Sequence, residues 1–168
     1  MLTTRRATPA DVPAILALIR RVVPLMQASG NRQWSADYPN EAVFTADIKR
    51  NHLWVADLAG EVTGVAALTQ DQDAEYAQAD WDVTEPALVT HRLAVDPAAQ
   101  GRGVALALLA EAERQAVAQG LNVLRVDTNS ENAATQRLFP KLGYRFAGEI
   151  SLGFRPGLRF FCYEKRLA

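Results

Sequence analysis

Cysteine and histidine are scarce: one Cys and two His in 168 residues. Cys162 has no partner for an internal disulfide, and a Cys/His metal site is not expected with only His52 and His91. An excess of either charge is also missing. Eighteen Lys and Arg against nineteen Asp and Glu leave a formal charge of −1, which argues against electrostatic capture of nucleic acid or an anionic membrane. No apolar run approaches the roughly 18–20 residues of a membrane span. Met1-Leu2-Thr3-Thr4-Arg5-Arg6 lacks the apolar stretch of a signal peptide. Internal repeats and Gly/Ser linkers are absent too. These absences lead to the expectation of a cytoplasmic protein with one domain over residues 1–168.

The sequence has ample material for a core, 49% of it being apolar. Thr3 to Arg6 reads as a first strand. Thr8-Pro9-Ala10-Asp11 reads as a helix entry, with Val12, Ile15, Leu16, Ile19 and Val23 forming one apolar stripe. Pro24 is expected to end or kink that helix. Met26 to Pro39 is irregular, and Glu41 to Asn51 reads as a second helix with Val43, Phe44 and Ile48 inward. A hairpin follows, with strands Leu53–Asp57 and Val62–Leu68 around a turn at Gly60-Glu61. Gln70 to Pro86 carries six acidic residues and no basic one, and is expected to be a loop. The second half reads as strand Leu88–Val95, helix Val104–Gln119 stopped by Gly120, and strand Leu121–Thr128. Helix Asn132–Leu142, stopped by Gly143, and strands Tyr144–Glu149 and Arg159–Arg166 complete it. The fold class is α/β, a mixed sheet with helices on both faces.

The most informative segment runs from Leu93-Ala94-Val95 through Asp96-Pro97-Ala98-Ala99 to Gln100-Gly101-Arg102-Gly103-Val104-Ala105. A strand enters a turn, two glycines follow, and an amphipathic helix begins at once. Glycines let backbone N–H groups approach an anion, and the helix start adds about half a positive charge. Arg102 offers a cation. The segment reads as a pyrophosphate cradle, or as a glycine turn that only redirects the chain. A dinucleotide G-x-G-x-x-G fingerprint is ruled out, because Leu106 occupies the third glycine position.

Gln100 to Ala105 matches the Q/R-x-x-G-x-G/A motif of the GNAT superfamily, the acetyl-coenzyme A-dependent N-acetyltransferases. Asn132-Ala133-Ala134-Thr135-Gln136-Arg137-Leu138-Phe139-Pro140-Lys141-Leu142-Gly143-Tyr144 resembles that family's N-x-x-A-x-x-L-Y-x-K-x-G-F/Y segment. The two motifs and the element order together extend the resemblance over essentially the whole chain. It implies a single-domain, mostly antiparallel GNAT-like sheet and acetyl transfer from acetyl-coenzyme A to a primary amine by direct attack, with no metal. The amine could belong to a small molecule or a peptide. Pyrophosphate would lie on the amides of residues 100 to 105. Pantetheine would run beside Leu93, Ala94 and Val95, where that strand splays from its neighbour. A backbone N–H near Val95 would receive the acyl oxygen. Asn132 would contact the coenzyme or cap its helix.

Phe139 departs from the resemblance. Many members have a Tyr there, thought to protonate the leaving thiolate. A lost general acid typically costs about 10²–10⁴-fold in rate, so the alternative is a weakened acyl-coenzyme A binding or sensing module. Water, Tyr144 or Tyr163 would have to replace that acid, and no spacing selects either tyrosine. His91 is the candidate base, two and four residues before Leu93 and Val95 and therefore expected on their face; the other reading is a His packed within the sheet. The acidic run Asp71, Asp73, Glu75, Asp80, Asp82 and Glu85 would attract a cationic amine or simply be solvated. Trp34, Tyr38 and Phe44 would wall an acceptor pocket or fill the core, and exposed strand edges would allow a homodimer.

Overall fold

In the computed structural model, which describes residues 1–168, the apolar stripe that begins at Val12 folds as helix α1 (Val12–Ala28). Ile15, Leu18, Ile19, Val22 and Val23 are buried along it. Pro24 neither ends nor interrupts the helix, contrary to expectation. It lies on the exposed side, where water can meet the carbonyl that proline leaves without a donor. Helix α2 (Glu41–Lys49) starts where the Asn40 side chain accepts the Val43 amide at 3.1 Å, and it buries Phe44 and Asp47. Helix α3 spans Val104–Ala118 and α4 spans Ala133–Lys141. No helix is long and apolar enough to cross a membrane.

The strands are β1 (Leu2–Arg6), β2 (Leu53–Leu58), β3 (Glu61–Thr69), β4 (Leu88–Val95), β5 (Val123–Asn129), β6 (Arg145–Ile150) and β7 (Phe160–Arg166). They form one seven-stranded sheet in the order β1-β2-β3-β4-β5-β7-β6. Every pairing is antiparallel except β4 with β5. The mixed, mostly antiparallel sheet with helices on both faces is therefore as expected. On one face Val55, Val65, Ala67 and Ala94 meet α1 and α2 through Ile15, Leu18 and Phe44. On the other, Ala66, Leu88, Leu124 and Val126 meet α3 and α4 through Leu108, Ala112 and Phe139. Gly64 brings α3 close, since a Cβ there would stand 2.5 Å from Val104 Cγ1 and 3.2 Å from the Ala94 carbonyl oxygen.

The acidic connection between β3 and β4 is not the fully solvated loop allowed for in the sequence. Ala74–Gln78 makes a 3₁₀ turn that buries Tyr76 completely, in a third cluster with Val89, Ile150 and Phe160. Arg125, wholly buried on β5, pins the connection. Its guanidinium donates to Glu164 at 2.9 Å, to Gln72 at 2.8 Å and to the Asp82 carbonyl at 2.7 Å, and it stacks on Trp81 at 4.8 Å. Removing one partner of a buried ion pair is expensive because the other charge stays desolvated. Arg125→Met should therefore cost about 3 kcal/mol of stability in urea unfolding. A loss below about 1 kcal/mol would show that Arg125 is not the anchor of this connection.

Candidate active site

Only three residue pairs hold β4 to β5: Leu88 with Leu124, Val89 with Arg125, and Thr90 with Val126. Beyond them β4 continues to Val95 and β5 to Asn129 without pairing to each other, so the strands splay as expected. The gap opens into a cleft of about 990 Å³. Its lining includes residues 90 to 95 of β4, Val126, Asp127 and Thr128 of β5, and the start of α3.

At the α3 end the glycine turn is built as the spacing requires. Gly101 and Gly103 have φ of +78° and +82°, and nothing lies within 4 Å of a Cβ placed on either. The amides of Gly101, Gly103, Val104, Ala105 and Leu106 donate to no carbonyl of the chain, while Ala107 bonds to the Gly103 carbonyl at 2.9 Å. These free donors crowd the positive end of a fifteen-residue helix. Gln100, Gly101, Gly103, Val104 and Ala105 all line the cleft. Arg102 does not: its side chain is exposed, and its amide is bonded to the Ala99 carbonyl at 3.3 Å.

The Val95 amide faces the gap. Asp96 N–H bonds to the Thr63 carbonyl at 2.8 Å, which makes Gly64 and Val95 a non-hydrogen-bonded pair and turns the Val95 N–H away from β3. His91 is placed differently from expectation. Ala66 faces both Arg92 and Leu93, a β-bulge, and Arg92 has φ +53°. The bulge reverses the alternation. His91 pairs with Ala67 on the α1 and α2 face, whereas Leu93 and Val95 pack against the α3 side. All three still border the cleft. The bulge is fastened by Asp47, whose carboxylate takes Arg92 Nε at 2.8 Å and Nη2 at 2.7 Å. Sequence reasoning missed this pair, although an Arg within Leu88–Val95 and an Asp on the inner side of α2 were its signal.

His91 Nε2 stands 3.3 Å from the Asp71 carbonyl oxygen, and one ligand atom each from Asp73, His91 and Asp127 lies within 4.8 Å of the others. The Tyr76 hydroxyl donates to Asp127 Oδ2. Burial raises the Asp127 carboxyl above its ordinary range, with the Tyr76 hydrogen bond and then the His91 charge working the other way. Burial, and then the Asp127 charge, push the Tyr76 phenol up. Burial likewise raises the Cys162 thiol, which keeps it an unreactive core group.

Asn132 lines the cleft and also caps α4, accepting the Thr135 amide at 3.3 Å. Phe139 borders the cleft while only 1% exposed, its ring 5.5 Å from Tyr144 and 5.3 Å from Tyr163. Neither tyrosine is among the lining residues, and burial raises both phenols. Pro140 sits one residue before the end of α4. Trp34 and Tyr38 border the cleft, whereas Phe44 is core alone. Of the acidic run only Asp71 and Asp73 reach the cleft; Glu85, for one, pairs with Arg166 at 2.7 Å.

Residues 19–144 match the acetyltransferase (GNAT) family. An L-methionine sulfoximine/L-methionine sulfone acetyltransferase of Pseudomonas paraeruginosa is 32% identical over 151 residues, covering 87% of this chain and 81% of the relative. A GNAT-family acetyltransferase structure from Streptococcus agalactiae superposes with a TM-score of 0.82 at 27% identity, covering 99% of this chain and 96% of that one. The structure of yncA from Salmonella typhimurium, described with its cofactor acetyl-CoA, shares the fold at a TM-score of 0.72 and 21% identity, covering 100% and 95%.

Substituting a glycine of the turn tests whether its open face matters. Gly103→Val puts a branched side chain into the space in front of the free amides and should weaken coenzyme A binding at least tenfold, about 1.4 kcal/mol. The left-handed backbone adds a stability cost of roughly 1–2 kcal/mol, so titration calorimetry is run on protein shown by its melt to be folded. Unchanged affinity in folded Gly103→Val would remove the phosphate-loop assignment.

Proposed function

The chain belongs to the GNAT acetyltransferase family and is an N-acetyltransferase, and from that premise we propose that it transfers acetyl from acetyl-coenzyme A to a primary amine by direct attack in the β4–β5 cleft. The observation that carries this reading is the row of unbonded amides at Gly101 and Gly103 to Leu106, facing a space that no side chain fills. Such a row suits a pyrophosphate. The unpaired edge at Leu93, Ala94 and Val95 suits the amide groups of pantetheine, which can pair with a strand edge.

When bound, acetyl-coenzyme A supplies a thioester whose carbonyl carbon takes the amine nitrogen, while the sulfur leaves as a thiolate. The Val95 N–H, turned into the gap, is the donor we assign to the acyl oxygen; a donor so placed is worth about 3–4 kcal/mol. His91, at the same cleft, is assigned to accept the proton lost by the amine. Asn132 orders the start of α4 and so sets the wall on which Phe139 stands. Phe139 cannot protonate a leaving thiolate, but a thiol of ordinary pKa near 8.5 leaves tolerably without that help.

The acceptor is a primary amine of a small molecule or a peptide. The Pseudomonas relative's activity on L-methionine sulfoximine gives a reason to put α-amino acids first in a panel. The test is thiol release from acetyl-coenzyme A across that panel. Turnover with at least one amine is expected; binding of acetyl-coenzyme A without turnover for every amine would overturn acetyl transfer as the function. With an accepted amine, Phe139→Tyr should raise kcat severalfold, below the general-acid ceiling of about 10²–10⁴. A tenfold fall at unchanged coenzyme affinity and stability would show that position 139 does not face the thioester.

A further inference from the structure

The connection from β3 to β4 and the end of β5 that has parted from β4 bring two carboxylates to one imidazole. Asp73 comes from the connection, His91 from β4 and Asp127 from β5, each with a ligand atom within 4.8 Å of the others, and all three border the cleft. No Lys or Arg of the chain forms an ion pair with Asp73 or Asp127. Arg125, two residues before Asp127 on β5, is committed to Glu164, and Arg92, next to His91, to Asp47. Two half-buried carboxylates thus share a confined space without a countercharge, an arrangement that a cation entering the cleft relieves.

A second observation lies at the same fork but on the α3 side of the sheet, where Thr90 pairs with Leu68 and Val126. Thr90, the last residue of β4 still paired with β5, is 3% exposed, and its Oγ1 has no hydrogen-bond partner. It also borders the cleft. Buried hydroxyls are seldom left unpaired in a finished protein, so this one points to a polar ligand group at the fork of the two strands.

We propose that Asp73 and Asp127 receive the ammonium of the acceptor at the fork of β4 and β5, with His91 positioned to take its proton and Tyr76 holding Asp127 in place. This assignment rests on acetyl transfer being the function. A primary ammonium has three N–H donors. Two carboxylates and one imidazole match them in number, and only the imidazole takes up a proton readily near neutrality. The ammonium gives one proton to His91, the neutral amine attacks the thioester carbonyl, and as the C–S bond breaks the nitrogen's second proton passes through water to the leaving thiolate. The imidazolium, flanked by Asp73 and Asp127, then releases its proton to solvent. Tyr76 is a positioning residue, since its hydroxyl bonds Asp127 and its ring is buried outside the cleft lining. The groups facing His91 are therefore Asp73 and the Asp71 carbonyl from the connection, Asp127 from β5 and the backbone-neighbouring Arg92. Behind Asp127 stand Tyr76 and, on β7, Cys162.

The experiment uses the full chain, acetyl-coenzyme A and an amine accepted by wild type, with steady-state kinetics and coenzyme affinity measured together. Asp73→Asn and Asp127→Asn should each raise KM for the amine at least tenfold and leave coenzyme affinity within twofold. Tyr76→Phe should raise the same KM by a smaller factor. His91→Gln should instead lower kcat by about 10²-fold or more while leaving the amine KM within about threefold. If Asp127→Asn fails to fold, Asp73→Asn decides the matter alone. Amine KM within twofold of wild type in folded Asp73→Asn would overturn the inference while leaving acetyl transfer intact. Loss of wild-type activity on chelation would also overturn it, because a metal ion would then occupy the cluster. A wild type that turns over no amine at all would overturn the acetyl-transfer reading itself.

Discussion

The β4–β5 ladder stops after Thr90 and Val126, and the whole site depends on that interruption. A parallel pair continued to Val95 would consume the edge groups of β4 and close the cleft. Two constraints keep it open. The bulge opposite Ala66 bends β4, and the bidentate Asp47–Arg92 pair ties the bend to α2. At the far end, Asp96 holds the strand exit, accepting the Ala98 amide at 3.0 Å and pairing with Arg21 of α1 at 2.5 Å. With both ends fixed, the gap is part of the folded framework.

Opposite charges are distributed along this gap in a way that suits two unlike reactants. At the α3 end the backbone offers unbonded N–H groups and the positive end of a helix. At the Asp73–Asp127 end it offers carboxylates without countercharge. Under the proposed assignment an anionic coenzyme and a cationic amine are drawn to opposite parts of one cleft. On the proposed mechanism their reacting atoms meet near Val95 and His91. The same polarity explains why a chain of almost zero net charge needs no broad charged surface to sort its ligands.

The fold was legible in the sequence because its signals are local. Apolar steps from Val12 marked α1, alternation marked the hairpin of β2 and β3, and Gly101 and Gly103 marked the turn into α3. What escaped notice depends on distant contacts. Pro24 breaks no helix because it faces outward. Simple alternation misplaced His91, because a bulge held by Asp47 from another element cannot be seen in the periodicity of β4. Asp127 passed unremarked as one polar residue in an apolar strand. Only the buried Tyr76 arriving from the acidic connection, and the loss of pairing beside it, reveal its place.

The central claim is that the coenzyme lies in the gap between β4 and β5 with its pyrophosphate on the turn before α3. Amide hydrogen exchange with and without saturating coenzyme A tests this most directly. New protection should concentrate at Val95, Gly101 and Gly103 to Leu106, the amides that have no acceptor within the chain, with a weaker effect around Asn132 to Phe139. Binding that leaves those amides exchanging at their free rate, with protection gathered on another face of the sheet, would contradict it.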